Sequence, residues 1–278
     1  RAAEEADAHP APSGENLLAH IYAPQPIVRS GEPPQSAAGP TVTLIDAINH
    51  GLREEMERNP RIVMWGEDID DPKGGVFGVT RGLGARFPGR VENSPLAEAS
   101  IAGVAGGMAI AGYKPIVEIQ FADYLWPGFM QMRDEIATVR WRSQGTWNCP
   151  VVVRIAAGGY IKGGPWHSAC VEGFFAHVPG WYVVFPSFAD DAKGLIKTAA
   201  RAEDPVVFLE HKGLYRRPQA RAPEPDAGYL IPFGRGRVRR EGHDVTVVAW
   251  GSTVHLALDV ARQVEGQGRS LEVIDLRT

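Results

Sequence analysis

Residues 182–209 read YVVFPSFADDAKGLIKTAARAEDPVVFL. An apolar strand over Tyr182–Phe185, a helix over 189–201 and a second apolar strand over Val206–Leu209 follow one another with brief connections. Strands of four to six apolar residues alternating with helices predict a mostly parallel sheet, because such strands are covered on both faces and the helices supply the cover. The alternation continues upstream. Val151–Ile155 reads as a strand before a glycine loop at 158–164, and a long helix is expected over Trp126–Arg142. Before these come a strand at Ile116–Ile119 and a helix opened by Pro95 and running through Ala111. Ile62–Trp65 is a short buried strand followed by the acidic turn Gly66-Glu67-Asp68. Thr43 can cap a helix in which Leu44, Ile45, Ile48, Leu52 and Met56 recur at helical spacing, ending near Asn59-Pro60.

Downstream, proline and charged residues between 216 and 227 mark a boundary. Val245–Trp250, a helix over 254–264 and Leu271–Ile274 then begin another βαβ unit, which reaches Thr278 directly after its strand and so reads as truncated. The expected organisation is a linker or N-terminal arm over 1–40, an α/β domain over 41–222 with helices on both faces of a mostly parallel sheet, and the start of a second α/β domain over 223–278. Residues 1–40, rich in Ala, Pro, Glu and Ser, carry no sustained apolar period.

The 278 residues are 44% hydrophobic, enough for a globular core. A formal net charge of −4 provides no basic footprint for nucleic acid or an anionic membrane surface. The small-apolar run Ile101–Tyr113 is shorter than the roughly 20 residues that span a bilayer, and reads as a buried, closely packed helix. Two cysteines, Cys149 and Cys170, without a CxxC pair suggest neither a disulfide framework nor a zinc cluster, and a cytoplasmic setting is expected.

Glu98 stands in the first turns of the helix after Pro95, followed by small residues. On spacing alone, a glutamate there complements the helix dipole and stays solvated. The run Val91-Glu92-Asn93-Ser94-Pro95-Leu96-Ala97-Glu98-Ala99-Ser100-Ile101 and then Glu118-Ile119-Gln120-Phe121-Ala122-Asp123-Tyr124 changes that weighting. Together with Gly75-Val76-Phe77, Tyr182–Ser187, Asp191–Leu195 and Asp204–Glu210, these stretches resemble, in order from residue 41 to 278, the β component of the thiamin diphosphate-dependent 2-oxoacid dehydrogenases, the E1 enzymes acting on pyruvate or branched-chain 2-oxoacids.

The resemblance implies a pyrimidine-binding domain followed by a domain of transketolase C-terminal type. It implies that Glu98 hydrogen-bonds N1′ of the aminopyrimidine and favours the imino form whose N4′ takes the thiazolium C2 proton, general acid–base work on a cofactor. Tyr124 matches an aromatic lying against the pyrimidine, Leu96 and Gln120 match residues of the cofactor pocket, and His167, before Ser168, matches a histidine that takes part in acyl transfer to lipoyl groups. The neighbourhood Pro165-Trp166 and Ala169 departs from the family's pattern. His177, among apolar neighbours, reads as a buried structural histidine. Some relatives hold a potassium ion through carbonyls, and the matching positions are Val151, Ala199, Ala200, Ala202 and Asp204, with alanine at 202 where aspartate is usual.

The family's Gly-Asp-Gly stretch and paired asparagines for diphosphate and Mg²⁺ are not in these residues, so the resemblance implies an E1 α portion, separate or fused. Met130 in the helix to Arg140 and the Ala/Pro-rich start lean towards the fused form. An α2β2-type assembly, a lipoylated E2 acyltransferase and a small 2-oxoacid are the expected partners. The rival readings are a transketolase or deoxyxylulose-phosphate synthase relative, disfavoured by the lack of a multi-Arg/His phosphate site near the glycine loop, and a scaffold subunit that kept the fold without the reaction.

Overall fold

Six parallel strands lie in the order β3-β2-β4-β5-β7-β6: β2 Ile62–Gly66, β3 Val91–Asn93, β4 Lys114–Ile119, β5 Val152–Ala157, β6 Tyr182–Val184 and β7 Val206–His211. The structure is a computed structural model and describes residues 1–11, 13–24 and 39–278; the middle of the expected 1–40 arm lies outside the described residues. Alternate side chains along each strand enter different cores, as the two-residue period of a strand requires. Ile62, Met64, Ile116, Val152 and Phe208 face helices Leu44–Arg58 and Ala189–Arg201. Val117, Val153, Val207 and Leu209 face Glu98–Ile110 and the segment from Trp126.

Local chemistry places the Leu44–Arg58 helix. The Thr43 side chain accepts from the Asp46 N–H at 3.2 Å while the Asp46 carboxylate accepts from the Thr43 N–H at 3.1 Å, a reciprocal capping box. Gly51 lets this helix meet Ala189–Arg201, since an added Cβ would lie 2.7 Å from the Ile196 Cγ2.

Three expected helices differ from their readings. The helix read from Pro95 begins at Glu98, because the Ser94 N–H donates to the Gly66 carbonyl at 2.8 Å and keeps the chain extended past β3. The helix expected unbroken over Trp126–Arg142 is α-helical at Trp126–Met130, π-helical at Gln131–Ile136 and α-helical again at Val139–Arg142. There the Met132 carbonyl accepts both the Ala137 N–H at 3.0 Å and the Trp181 indole N–H at 3.2 Å, a side-chain insertion that widens the turn. The Ile101–Tyr113 run buries Ile101, Ala102, Ala105 and Ala109 but leaves Val104, Ile110 and Tyr113 exposed, so it is covered on one side of this chain only.

Beyond the sheet, β1 Thr41–Val42 pairs antiparallel with β8 Ala222–Pro223 inside the stretch read as a boundary. β10 Val245–Ala249 and β11 Leu271–Asp275 run parallel around helix Ser252–Glu265, and β9 Arg237–Arg240 adds an antiparallel edge that its arginine-rich sequence concealed. Before residue 24 the chain forms helix Ala2–Ala8 and a short 3₁₀ turn at Gly14–Asn16, and Tyr22 packs on Tyr182 with ring centroids 5.0 Å apart. No helix among the described residues is long and apolar enough to cross a membrane.

Candidate active site at the C-terminal edge of the sheet

In an open parallel sheet, ligands sit outside the carboxyl ends of the strands, where loops from neighbouring strands converge. Glu98 reaches that edge after β3. It is the first residue of its helix, half-buried, and the preceding Ala97 (φ −158°, ψ 80°) provides no side-chain cap. Leu96 beside it is 85% exposed. Gly128 brings the Trp126–Met130 helix onto this backbone: a Cβ there would lie 2.8 Å from the Glu98 carbonyl oxygen, so any larger residue displaces the carboxylate's anchor.

Glu67 follows β2 and is buried, with Oε1 lacking a hydrogen-bond partner among the described residues. Burial, and then the charges of Glu98, Asp68 and Glu118, push its carboxyl up to about 7. The Gln120 side-chain amide donates to the Glu67 carbonyl at 3.3 Å, tying the end of β4 to that of β2. Glu67 therefore stands partly protonated beside Glu98 near neutrality. Because its folded value exceeds the ordinary 4.5, the folded state binds more protons than the unfolded state between those pH values. The stability it contributes is complete below 4.5 and is lost as pH rises through about 7. Glu67→Gln is expected to flatten that decline, so urea midpoints of variant and parent should diverge in the variant's favour as pH rises from 4.5 through about 7. Parallel curves contradict the assignment.

The second group hangs from β4, β5 and β7. Tyr124, in a 3₁₀ turn after β4, has its Oη 2.8 Å from Nε2 of His167, which rides the loop after β5. The Phe121 ring meets the imidazole edge-on at 4.6 Å between centroids, and Nδ1 of His167 lies 3.4 Å from the Gly163 carbonyl. Asp123 accepts from the backbone N–H groups of Ser168 at 3.3 Å and Ala169 at 3.2 Å, holding the loop against the turn. Lys212, just past β7, is buried with Nζ unpartnered among the described residues and 5.4 Å from the Phe121 ring centre. Burial pushes its ammonium down to about 8.

Among the anticipated residues, Tyr124 and His167 touch directly, Gln120 touches Glu67, and Glu98 acts electrostatically on Glu67. No hydrogen bond among the described residues joins Glu98 to Tyr124 or His167. Glu67, Phe121 and Lys212 were missed. Each lies at the C-terminal end of a strand, and that position in a parallel sheet is the signal that marks them. His177, expected to be buried, is exposed and faces Leu17, Leu18 and Trp141. The five positions anticipated for potassium gather at the opposite, N-terminal edge, where Nζ of the buried Lys114 donates to the Ala202 carbonyl at 2.7 Å. Burial pushes Lys114 down to about 7, opposed by Asp204.

A parallel sheet with carboxylates, aromatics and a histidine along its carboxyl edge, followed by a smaller mixed sheet, defines a transketolase-type architecture. The model described as "Transketolase, pyrimidine binding domain" matches residues 40–218, and "Transketolase, C-terminal domain" matches 234–278. A 2-oxoisovalerate dehydrogenase subunit beta of Bacillus subtilis is 48% identical over 238 residues, 85% of this chain and 72% of the relative. The pyruvate dehydrogenase E1 component subunit beta of Acholeplasma laidlawii is 44% identical over the same shares. The chain superposes on a split-gene transketolase, described as an inactive beta4 tetramer, with a TM-score of 0.67 at 25% identity, covering 85% of this chain and 71% of that one. The chain belongs to the family of β subunits of the thiamin diphosphate-dependent 2-oxoacid dehydrogenase E1 components.

Proposed function

We propose that Glu98 is the carboxylate that holds N1′ of the aminopyrimidine, that Leu96, Gln120 and Tyr124 line the cofactor's ring, and that His167 serves acyl transfer to a lipoylated E2. The observation that carries this reading is the juxtaposition, along one sheet edge, of a half-buried carboxylate at a helix start and a tyrosine-held histidine. The residues fit an aminopyrimidine: Glu67 Oε1 is a buried oxygen without a hydrogen-bond partner among the described residues, and Phe121 and Tyr124 offer aromatic surface at 5.5 Å from one another. When bound, thiamin diphosphate supplies the electron sink that stabilises the charge left as CO₂ departs. Glu98 holds or shares a proton at a ring nitrogen, and the raised value of Glu67 leaves part of that neighbouring carboxyl uncharged near neutrality. The Tyr124 hydroxyl fixes the imidazole's orientation.

An α portion, separate or fused, supplies the diphosphate and Mg²⁺ ligands, and the active site forms between the two in an α2β2-type assembly. The direct test is calorimetric titration with thiamin diphosphate and Mg²⁺, with and without the α portion, then a 2-oxoacid panel with an artificial electron acceptor. Binding only with α present, and turnover of pyruvate or branched-chain 2-oxoacids, is expected; no binding with α present defeats the proposal. Tyr124→Phe removes the 2.8 Å contact to His167 while keeping the ring. It is expected to slow transfer to lipoyl-E2 by about 3–10-fold. Decarboxylation with the artificial acceptor changes less, and equal losses in both assays exclude the positioning role.

A further inference from the structure

Lys114 opens β4 at the N-terminal edge of the six-stranded sheet, remote from Glu98 and His167. Its Nζ reaches the Ala202 carbonyl, the C-cap of the Ala189–Arg201 helix, within the influence of Asp204 and Glu203 in the segment entering β7. A helix C-terminus presents carbonyls without intrahelical partners and carries partial negative charge, and buried carbonyls left unmatched are costly. Asp204 adds a buried carboxylate to the same place. A cation or a set of strong donors is required there.

The chain meets that requirement itself. The Ala202 carbonyl accepts from Lys114 Nζ at 2.7 Å, and the Ala199 carbonyl accepts the Ala202 N–H at 3.2 Å. The Val151 carbonyl accepts the Val206 N–H at 2.9 Å. Asp204 is held at Oδ1 by Arg140 Nε at 2.8 Å and at Oδ2 by the Ala23 N–H at 2.8 Å. Three of the five carbonyls anticipated as potassium ligands, Val151, Ala199 and Ala202, thus already accept a donor of the chain, Asp204 is engaged through its side chain, and an ion would have to evict Lys114 from Ala202. With a lysine nitrogen already seated on one of those carbonyls, the residues present do not fit a potassium ion.

We propose that the side-chain nitrogen of Lys114, tethered from β4, stands where a relative would bind a monovalent metal, so that this chain closes the lower edge of its sheet without potassium. The Ala202 carbonyl takes an internal N–H donor in place of an ion.

The test is thermal unfolding of the full-length native assembly in KCl, RbCl, NaCl and tetramethylammonium chloride at matched ionic strength. Midpoints for the natural protein are expected to agree within about 1 °C. A rise of about 5 °C or more in KCl and RbCl alone overturns the proposal, because it signals a bound ion. Lys114→Ala vacates the position. It is expected to lose several degrees in NaCl and tetramethylammonium chloride and to regain them in KCl and RbCl. A Lys114→Ala protein destabilised equally in all four salts, or not destabilised at all, also overturns it. Should Lys114→Ala fail to fold in any salt, the natural protein's salt series alone decides.

Discussion

Glu98→Gln is expected to lower turnover of the assembled enzyme by about 10²–10⁴-fold, the range a positioned acid–base group supplies. The unfolding midpoint should hardly move. Glu98 is only half-buried, makes no side-chain cap, and gains at most about 1 kcal/mol from the helix dipole. Glutamine keeps the length and the acceptor oxygen of the side chain but cannot hold a proton on a ring nitrogen. The measurement is steady-state decarboxylation with an artificial acceptor, beside a denaturation curve for the same preparation. Near-parental rates end the assignment of Glu98, whereas loss of both rate and fold points to a structural role instead.

The largest effect on stability is expected at Arg154. It is 1% exposed, and its guanidinium donates to Glu210 at 2.7 and 3.0 Å and to Glu118 at 2.7 Å. The Tyr215 hydroxyl completes the cluster on Glu210 at 2.7 Å. Burial pushes the Glu118 carboxyl up against the pull of Arg154, and the two carboxylates hold the arginine firmly cationic. Arg154→Met leaves two desolvated carboxyl groups without a counter-charge, at a cost of about 3–5 kcal/mol, a midpoint about 10 °C lower. Adding Glu118→Gln and Glu210→Gln should recover part of that loss, because the penalty lies in the stranded charge rather than in a missing attraction. A single variant within about 1 kcal/mol of the parent means that water reaches the cluster.

The same cluster bears on the active edge. Glu118, Arg154 and Glu210 sit on the adjacent strands β4, β5 and β7, with Glu118 and Arg154 in direct register. Gln120 and Phe121 follow Glu118 by two and three residues, and Lys212 follows Glu210 by two. Arg154 therefore clamps the three strands whose ends carry Tyr124, His167 and Lys212. Losses of activity in the Arg154 variant are expected to track the fraction folded.

Elements with local instructions were legible in advance. The 189–201 helix matches its reading, and the capping box sets the start of Leu44–Arg58, since cap, period and terminator all lie within a few residues of one another. The start of the Glu98 helix was read three residues early, because a backbone bond from Ser94 to Gly66, across two strands, overrides the proline signal. The π-turn at Gln131–Ile136 depends on an indole nearly fifty residues downstream, at Trp181. β9 was invisible because an edge strand with one face in solvent need not be apolar.

The candidate site divides in the same way. Composition, alternation and the ordered resemblance determined by themselves a parallel α/β sheet, the E1 β family, and the choice of Glu98, Tyr124 and His167 as residues to watch. Only the tertiary structure decided that Glu67 is buried within the influence of the Glu98 charge, that Tyr124 grips His167, that Arg154 binds two carboxylates, and that Lys114 reaches Ala202. Periodicity and capping are local and are written along the chain. The charge state and partner of a buried polar group depend on which strands become neighbours, and on how much water their packing removes.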